Sequence, residues 1–204
     1  MNNLFAFASS AADFIGTLKD YLKKNLPGVK AHLLLAPEVR IDDLKTGIIR
    51  PDAVNSAVLL LLYPFQNKLY TVVILRNEYD GVHSGQISFP GGKAEETDPD
   101  YIYTALRESH EEIGIKPSEV EIIGPLSKFY VRPSNYIVYP FVGYMPERPD
   151  FKPDPTEVQR IIEIDIFNEL SFDKIVNKNL TFKHNLQVSA PGFEVSGEFL
   201  WGAT

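Results

Sequence analysis

The chain has 204 residues, 44% of them hydrophobic and 23% charged, the profile of an ordinary globular protein of one domain. It contains no cysteine, which excludes a disulfide scaffold, a catalytic thiol and a cysteine zinc site. Its net charge of −7 argues against partnership with nucleic acid or an anionic membrane, although a bound divalent cation can still draw an anion to a local site.

The N-terminal MNNLFAFASSAADF lacks the basic stretch of a secretory signal, and the absence of cysteine fits a cytoplasmic location. The longest apolar run, Ala57 to Tyr63, falls far short of the ~18 residues that span a bilayer. Residues 13–26 read as a helix, with Phe14, Leu18 and Leu22 on one stripe and Pro27-Gly28 as its stop. The stripe is read as a packing face, with homodimerisation as the alternative. Residues 30–52 are mixed and are broken by Pro37 and Pro51. Residues 53–63 and 69–75 read as buried strands, with PFQNK as their hairpin connection. Turn signals at Asp80-Gly81 and Pro90-Gly91-Gly92 flank the short apolar QISF.

Thr97-Asp98-Pro99 announces a helix that runs to about Ile113, with Asp98 as the candidate N-cap and Pro99 at the first helical position. Gly114 supplies a left-handed stop. Strands are expected over residues 120–123 and 136–144. A proline-rich acidic connection covers residues 146–156, a helical or strand-like stretch covers 158–170, and residues 180–200 alternate like strands. Interleaved strands and helices predict an α/β or α+β fold, a single domain over 1–204 with residues 1–30 as a helical extension.

The informative segment is GGKAEETDPDYIYTALRESHEEIGI, residues 91–115. Glu108, Glu111 and Glu112 stand at i, i+3 and i+4 and share one helix face. Ile102, Ala105, Leu106 and Ile113 form another face, centred about 120° away at 3.6 residues per turn. Like charges at this spacing cost about 0.2–0.5 kcal/mol per pair, and they lie toward the helix end that disfavours negative charge. Clustered oxygen ligands suit Mg²⁺ or Mn²⁺ and a phosphate substrate. A solvated acidic face is the alternative. The preceding glycines, which allow close approach to a ligand, and Arg107, which can orient carboxylates, favour the metal reading.

This segment resembles the Nudix box, G-x5-E-x7-R-E-U-x-E-E-x-G-U, where U is aliphatic. Arg107-Glu108, Glu111-Glu112, Gly114 and Ile115 match in register. Ser109 occupies an aliphatic position, Asp98 stands where the first glutamate belongs, and eight residues rather than seven separate Asp98 from Arg107. The one-residue expansion resembles the coenzyme A pyrophosphatase branch. Upstream, ILRNEYDGVHSGQISFPGG keeps Arg76, Gly85, Gln86, Phe89, Pro90, Gly91 and Gly92 of that branch's signature, with Asn77 in place of Ser or Ala and Gly81 in place of an arginine. The stretches at 130–143 and 155–164 and the terminal LWGAT are similar to the same branch. Such relatives continue into a helix, so the chain is expected to stop short of its natural end.

The resemblance implies an α/β/α sandwich with a mixed sheet and a loop–helix–loop motif. It implies hydrolysis of a nucleoside diphosphate linked to another group, coenzyme A or an acyl form of it, with Mg²⁺ or Mn²⁺ held by Glu108, Glu111 and Glu112. ADP-ribose, NADH or a dinucleotide is the alternative substrate, and a catalytically silent binding module the alternative role. Arg107 would orient the glutamates, and Gly91 would offer a carbonyl ligand. Arg76, Gln86, Gly91, Gly92 and Ser134 are the candidate substrate contacts, and Glu157 is a candidate extra carboxylate. Arg132 and Asn135 lie in a turn similar to the branch's substrate loop, where glycine commonly follows the serine. Lys93 or Arg132 could compensate for the arginine missing at Gly81. Glu95 and Glu96 are loop carboxylates, and His83 and His110 are the weaker candidates for a general base.

Overall fold

The computed structural model describes residues 11–24, 26, 28–78, 85–181 and 187–204. Helix α1 (Ala11–Leu22) is followed by a short α2 (Val29–His32), a 3₁₀ turn (Glu38–Arg40) and α3 (Ile41–Thr46), which resolve the mixed stretch 30–52 into short helical pieces. Strand β1 (Val54–Phe65) and β2 (Lys68–Arg76) form a hairpin. The connection is two residues, Gln66 and Asn67, both with positive φ, the combination of a type I′ turn. The expected five-residue PFQNK connection is therefore shorter, because Pro64 and Phe65 remain in the β1 ladder.

The hairpin opens after four residue pairs, and a fork follows. β1 and β2 pair only from Leu62 with Thr71 to Phe65 with Lys68. Below that, β3 (Ile87–Ser88) pairs with β2, and β4 (Gly91–Lys93) pairs with β1. The Pro90 carbonyl accepts from Leu59 N at 2.9 Å, which fixes the β3–β4 loop inside the fork. Helix α4 (Tyr101–Ile113) leaves this loop. Its N-cap is Asp100, whose carboxylate accepts from Tyr103 N at 2.7 Å, rather than Asp98. Pro99 thus precedes the cap instead of occupying the first helical position. Gly114, left-handed at φ 75°, ends the helix as expected.

After a 3₁₀ turn (Pro117–Glu119), β5 (Glu121–Pro125) and β6 (Phe129–Val131) both pair with β7 (Tyr136–Tyr144). β7 runs parallel to β1, and the remaining pairings in the sheet are antiparallel, so the sheet is mixed. The stretch expected to be helical or strand-like is both: β8 (Val158–Asp165) pairs with β2 and leads directly into α5 (Ile166–Glu169). A 3₁₀ turn (Phe172–Lys174) precedes β9 (Val176–Thr181), β10 (Gln187–Val195) and β11 (Glu198–Trp201), which form a separate three-stranded antiparallel sheet.

Strand alternation sorts the core into layers. Ala57, Leu59, Leu61, Val72 and Ile74 face α4 through Ala105 and Ile113. On the opposite face, Leu62, Leu69 and Val142 receive Ile15 and Leu22 of α1. Beside them Val73, Leu75, Ile162 and Ile164 receive Phe193, Val195 and Leu200 of the small sheet. Phe14 and Leu18 also pack in the α1 layer, so the stripe on that helix is an internal packing face. This is the α/β/α arrangement around a mixed sheet, with the small sheet sharing the second outer layer. No helix among the described residues is long and apolar enough to cross a membrane.

Candidate active site

The fork brings the glycine loop against α4. Gly91 lies so close to β1 that a Cβ there would overlap the Ala57 carbonyl and Val58 Cα, and its φ of 149° disfavours any side chain. A Cβ on Gly92 would instead overlap the carboxylate of Glu108. The two glycines therefore do different things: Gly91 lets the loop enter the fork, and Gly92 makes room for an acid. Gly92→Ala is expected to keep the fold, because the obstacle is the free end of a side chain, and to lower hydrolysis about 10-fold or more by displacing Glu108. Gly91→Ala should lower the melting temperature markedly, since its obstacle is backbone. Thermal melts and rates on the two variants check the contrast.

Glu112 is the deepest group. Its side chain is 1% exposed, and one oxygen accepts from Gly91 N at 2.8 Å. The other, Oε1, is 3.1 Å from Arg76 Nη2 as an ion pair but has no hydrogen-bond partner. Burial raises its pKa to about 7, against the favourable pull of Arg76 and Gly91 N; the charges of Glu108 and Glu157 raise it further. Glu108 is raised as well, first by burial, then by Glu111 and Glu157, with Arg107 opposing. Glu111 is 56% exposed. The shared carboxylate face is thus a gradient: Glu112 lies in the packed side of α4, and Glu111 at the rim.

Two arginines organise these acids. Arg76 donates from Nε to Ser88 Oγ at 3.1 Å and from Nη2 to Gly91 O at 3.0 Å, tying β2, β3, β4 and Glu112 into one unit. It is neither a free strand-end arginine nor directed at open solvent. Arg107 donates to Glu108 at 2.8 Å, to Glu111 at 3.0 Å and to Lys93 O at 3.1 Å. It also grips Asp98 with two bonds of 3.0 Å. Asp98 additionally accepts from Thr104 Oγ1 at 2.9 Å and from Glu95 N at 3.0 Å, so its oxygens are engaged within the loop. With eight residues between Asp98 and Arg107, the aspartate still reaches the guanidinium. Ser109, at an aliphatic position, is fully buried and donates to Ala105 O at 2.6 Å.

The β7–β8 connection completes the surround. Asp154 N donates to Glu112 O at 3.0 Å, and Lys152 N donates to Ile113 O at 2.9 Å, so the connection caps the last turn of α4. Asp154 Oδ1 accepts from Thr156 N and Oγ1 at 2.8 and 2.7 Å, a turn that carries Glu157 toward Arg76. Asp154 was not a sequence candidate, although Asp-Pro-Thr is a recognisable turn signal.

Other candidates lie elsewhere or serve the scaffold. His110 Nδ1 is 2.7 Å from Ile115 O at the helix end. Gln86 O accepts from Arg76 N at 3.1 Å. Arg132 pairs with Asp43 at 2.7 Å, and Ser134 Oγ donates to Val131 O at 3.4 Å; among the described residues no contact joins either to the carboxylates. Asn135, at φ 57°, is left-handed, a conformation that glycine and asparagine adopt most readily. Asp80, Gly81 and His83 lie outside the described residues.

The donor set is oxygen-only and includes a buried oxygen without a hydrogen bond, which a hard divalent cation fits. Among the described residues no three acidic or histidine side chains stand at ligating distance; Arg107 occupies Glu108 and Glu111, and Arg76 pairs with Glu112.

Comparison with known proteins follows the same geography. The uncharacterized Nudix hydrolase NudL of Yersinia pestis (strain Pestoides F) is 34% identical over 129 residues, which cover 60% of this chain and 60% of that protein. A crystal structure of a C. elegans Ap4A hydrolase binary complex is 17% identical with a TM-score of 0.47, covering 56% of this chain and 82% of the other. The NUDIX domain of Shewanella oneidensis NrtR complexed with ADP ribose is 15% identical with a TM-score of 0.47, covering 60% and 82%. A NUDIX domain model matches residues 54–185, the stretch that holds the fork, the carboxylate helix and the Asp154 turn, and the chain belongs to the Nudix family.

Proposed function

We propose that the chain hydrolyses the diphosphate bond of a nucleoside-diphosphate-linked substrate with Mg²⁺ or Mn²⁺, and that the substrate is coenzyme A or acyl-coenzyme A. The products would be 4′-phosphopantetheine, or its acyl form, and adenosine 3′,5′-bisphosphate. The observation that carries the reading is the Arg76–Gly91–Glu112 unit, in which the upstream coenzyme A-type signature and the Nudix box meet through direct contacts. The signature residues are thereby built into the acid cluster.

Glu108, Glu111 and Glu112 would hold the cation. Bound there, it would neutralise the diphosphate and lower the pKa of water. Arg107 aims Glu108 and Glu111, Gly92 leaves space for Glu108, and the buried Glu112 supplies a rigid carboxylate. Glu108 or Glu157 would accept the proton of the attacking water.

Coenzyme A, ADP-ribose, NADH and diadenosine polyphosphates assayed side by side, with products identified by mass, test the reading. The expected result is the highest kcat/KM for coenzyme A or its acyl forms and complete loss of turnover in excess chelator. Undiminished turnover in chelator overturns the metal dependence. A preference for one of the other nucleotides transfers the same site to that substrate.

A further inference from the structure

Strand β8 carries a bulge beside the acid cluster. Leu75 opposes Arg160, but Arg76 opposes Val158, so Gln159 is the extra residue. The slip brings Glu157 opposite Asn77, and Asn77 uses it twice. Asn77 N donates to Glu157 O at 3.0 Å, and Asn77 Nδ2 donates to Pro155 O at 2.9 Å. The same turn is held from its other end by Glu157 N on Asp154 O at 3.2 Å and by Asp154 N on Glu112 O at 3.0 Å. Residues 154–157 are thus fastened to the last turn of α4 on one side and to the end of β2 on the other.

The backbone bond from Asn77 would form with any residue except proline. The bond to Pro155 O needs the side-chain amide. Serine or alanine, expected at this position from the coenzyme A-type signature, has no group that reaches the same carbonyl with that amide's length. Immediately before Asn77 is Arg76, whose guanidinium holds Glu112.

We propose that Asn77 is a positioning residue that fixes the Asp154–Glu157 turn so that the Glu157 carboxylate stands beside Glu108 and Glu112. The inference rests on the metal-dependent hydrolase reading above. The connections of the turn agree with it, since Glu157 is bonded through its backbone to Asn77, the neighbour of the Arg76 that pairs with Glu112, and to Asp154, whose N–H donates to Glu112 O. Without the side-chain amide the turn keeps its Asp154 anchor but loses its grip on β2, and Glu157 gains freedom to swing from the cluster.

The test uses Asn77→Ala, Asn77→Ser, Glu157→Gln and the Asn77→Ala/Glu157→Gln double variant. Mn²⁺ affinity is read by electron paramagnetic resonance without substrate, and kcat and KM on the best substrate of the panel. Expected are a roughly 3- to 10-fold fall in kcat for Asn77→Ala, the scale of one neutral hydrogen bond, with KM within about twofold. Asn77→Ser should behave like Asn77→Ala. Mn²⁺ affinity should fall in all three single-site variants, and Asn77→Ala should cost nothing further once Glu157 is glutamine. Wild-type kcat and Mn²⁺ affinity in Asn77→Ala, independent multiplication of the two effects, or a silent Glu157→Gln would each overturn the proposal. Failure of the hydrolase reading is distinct: the wild-type protein itself would then neither bind Mn²⁺ nor turn over.

Discussion

Glu112→Gln is expected to lower metal-dependent hydrolysis at least ~10²-fold while stabilising the metal-free protein. Both effects come from one buried group. The Glu112 side chain is 1% exposed, and among the described residues it is held by Gly91 N and Arg76. In the fold its carboxyl titrates at about 7, against an ordinary value of 4.5. Between those two values the native state binds more protons than the unfolded chain. Stability is therefore full below the lower value and declines as pH rises through the upper one, by roughly 3 kcal/mol in total. Glutamine carries no titrating proton, so the variant should show no such slope and should be the more stable protein at pH 8. A divalent cation competes with the same proton, so saturating Mg²⁺ should flatten the wild-type slope. Denaturant melts of chelated wild type and variant from pH 4.5 to 8 measure this. A wild type whose stability is level across that range would show that the glutamate stays ionised and is stabilised by Arg76 alone.

The carboxylate helix was legible because its information is local. Glu108, Glu111 and Glu112 sit at fixed offsets within one helix that Gly114 ends, and their common side follows from the period. The depth of Glu112 was not legible. Helical spacing places it beside Glu108 but does not say that the Pro90–Gly91 loop will be drawn into the β1–β2 fork and close over it. Arg76 shows the same limit. From sequence it ends a strand, and only the splitting of the hairpin after Leu62 and Thr71 turns it inward onto Gly91 and Glu112. Asp98 was misassigned as a cap because Asp-Pro and Pro-Asp are both good helix starts. The choice fell to Asp100 since Arg107, nine positions on from Asp98, claims both Asp98 oxygens. The small sheet was only partly visible: residues 180–200 alternate, but β9 has no buried residue, so its start at Val176 carries no apolar signal.

Arg107→Ala is expected to destabilise the protein by about 3–5 kcal/mol, the scale of breaking a buried ion pair by removing one partner. Asp98 is 3% exposed and would keep its charge with two hydrogen bonds gone. Glu108 and Glu111 would lose the cation that holds them 2.8 and 3.0 Å away, and Lys93 O a donor. The pH dependence identifies Asp98 as the main sufferer. Arg107 holds its carboxyl well below the usual range, so the pair stabilises the fold above the ordinary value of 3.8 and the contribution is lost as pH falls below it. The gap between wild type and Arg107→Ala should therefore be widest near neutrality and narrow in acid. Arg107→Lys should recover only part of the loss, because a point charge cannot fork onto Asp98 while also reaching Glu108. Adding Asp98→Ala to Arg107→Ala should regain stability by removing the unpaired charge, yet should restore no activity, since Glu108 and Glu111 remain unaimed. If the double variant is less stable than Arg107→Ala, Asp98 holds the loop through Thr104 and Glu95 N rather than through Arg107, and the arginine acts on the glutamates alone.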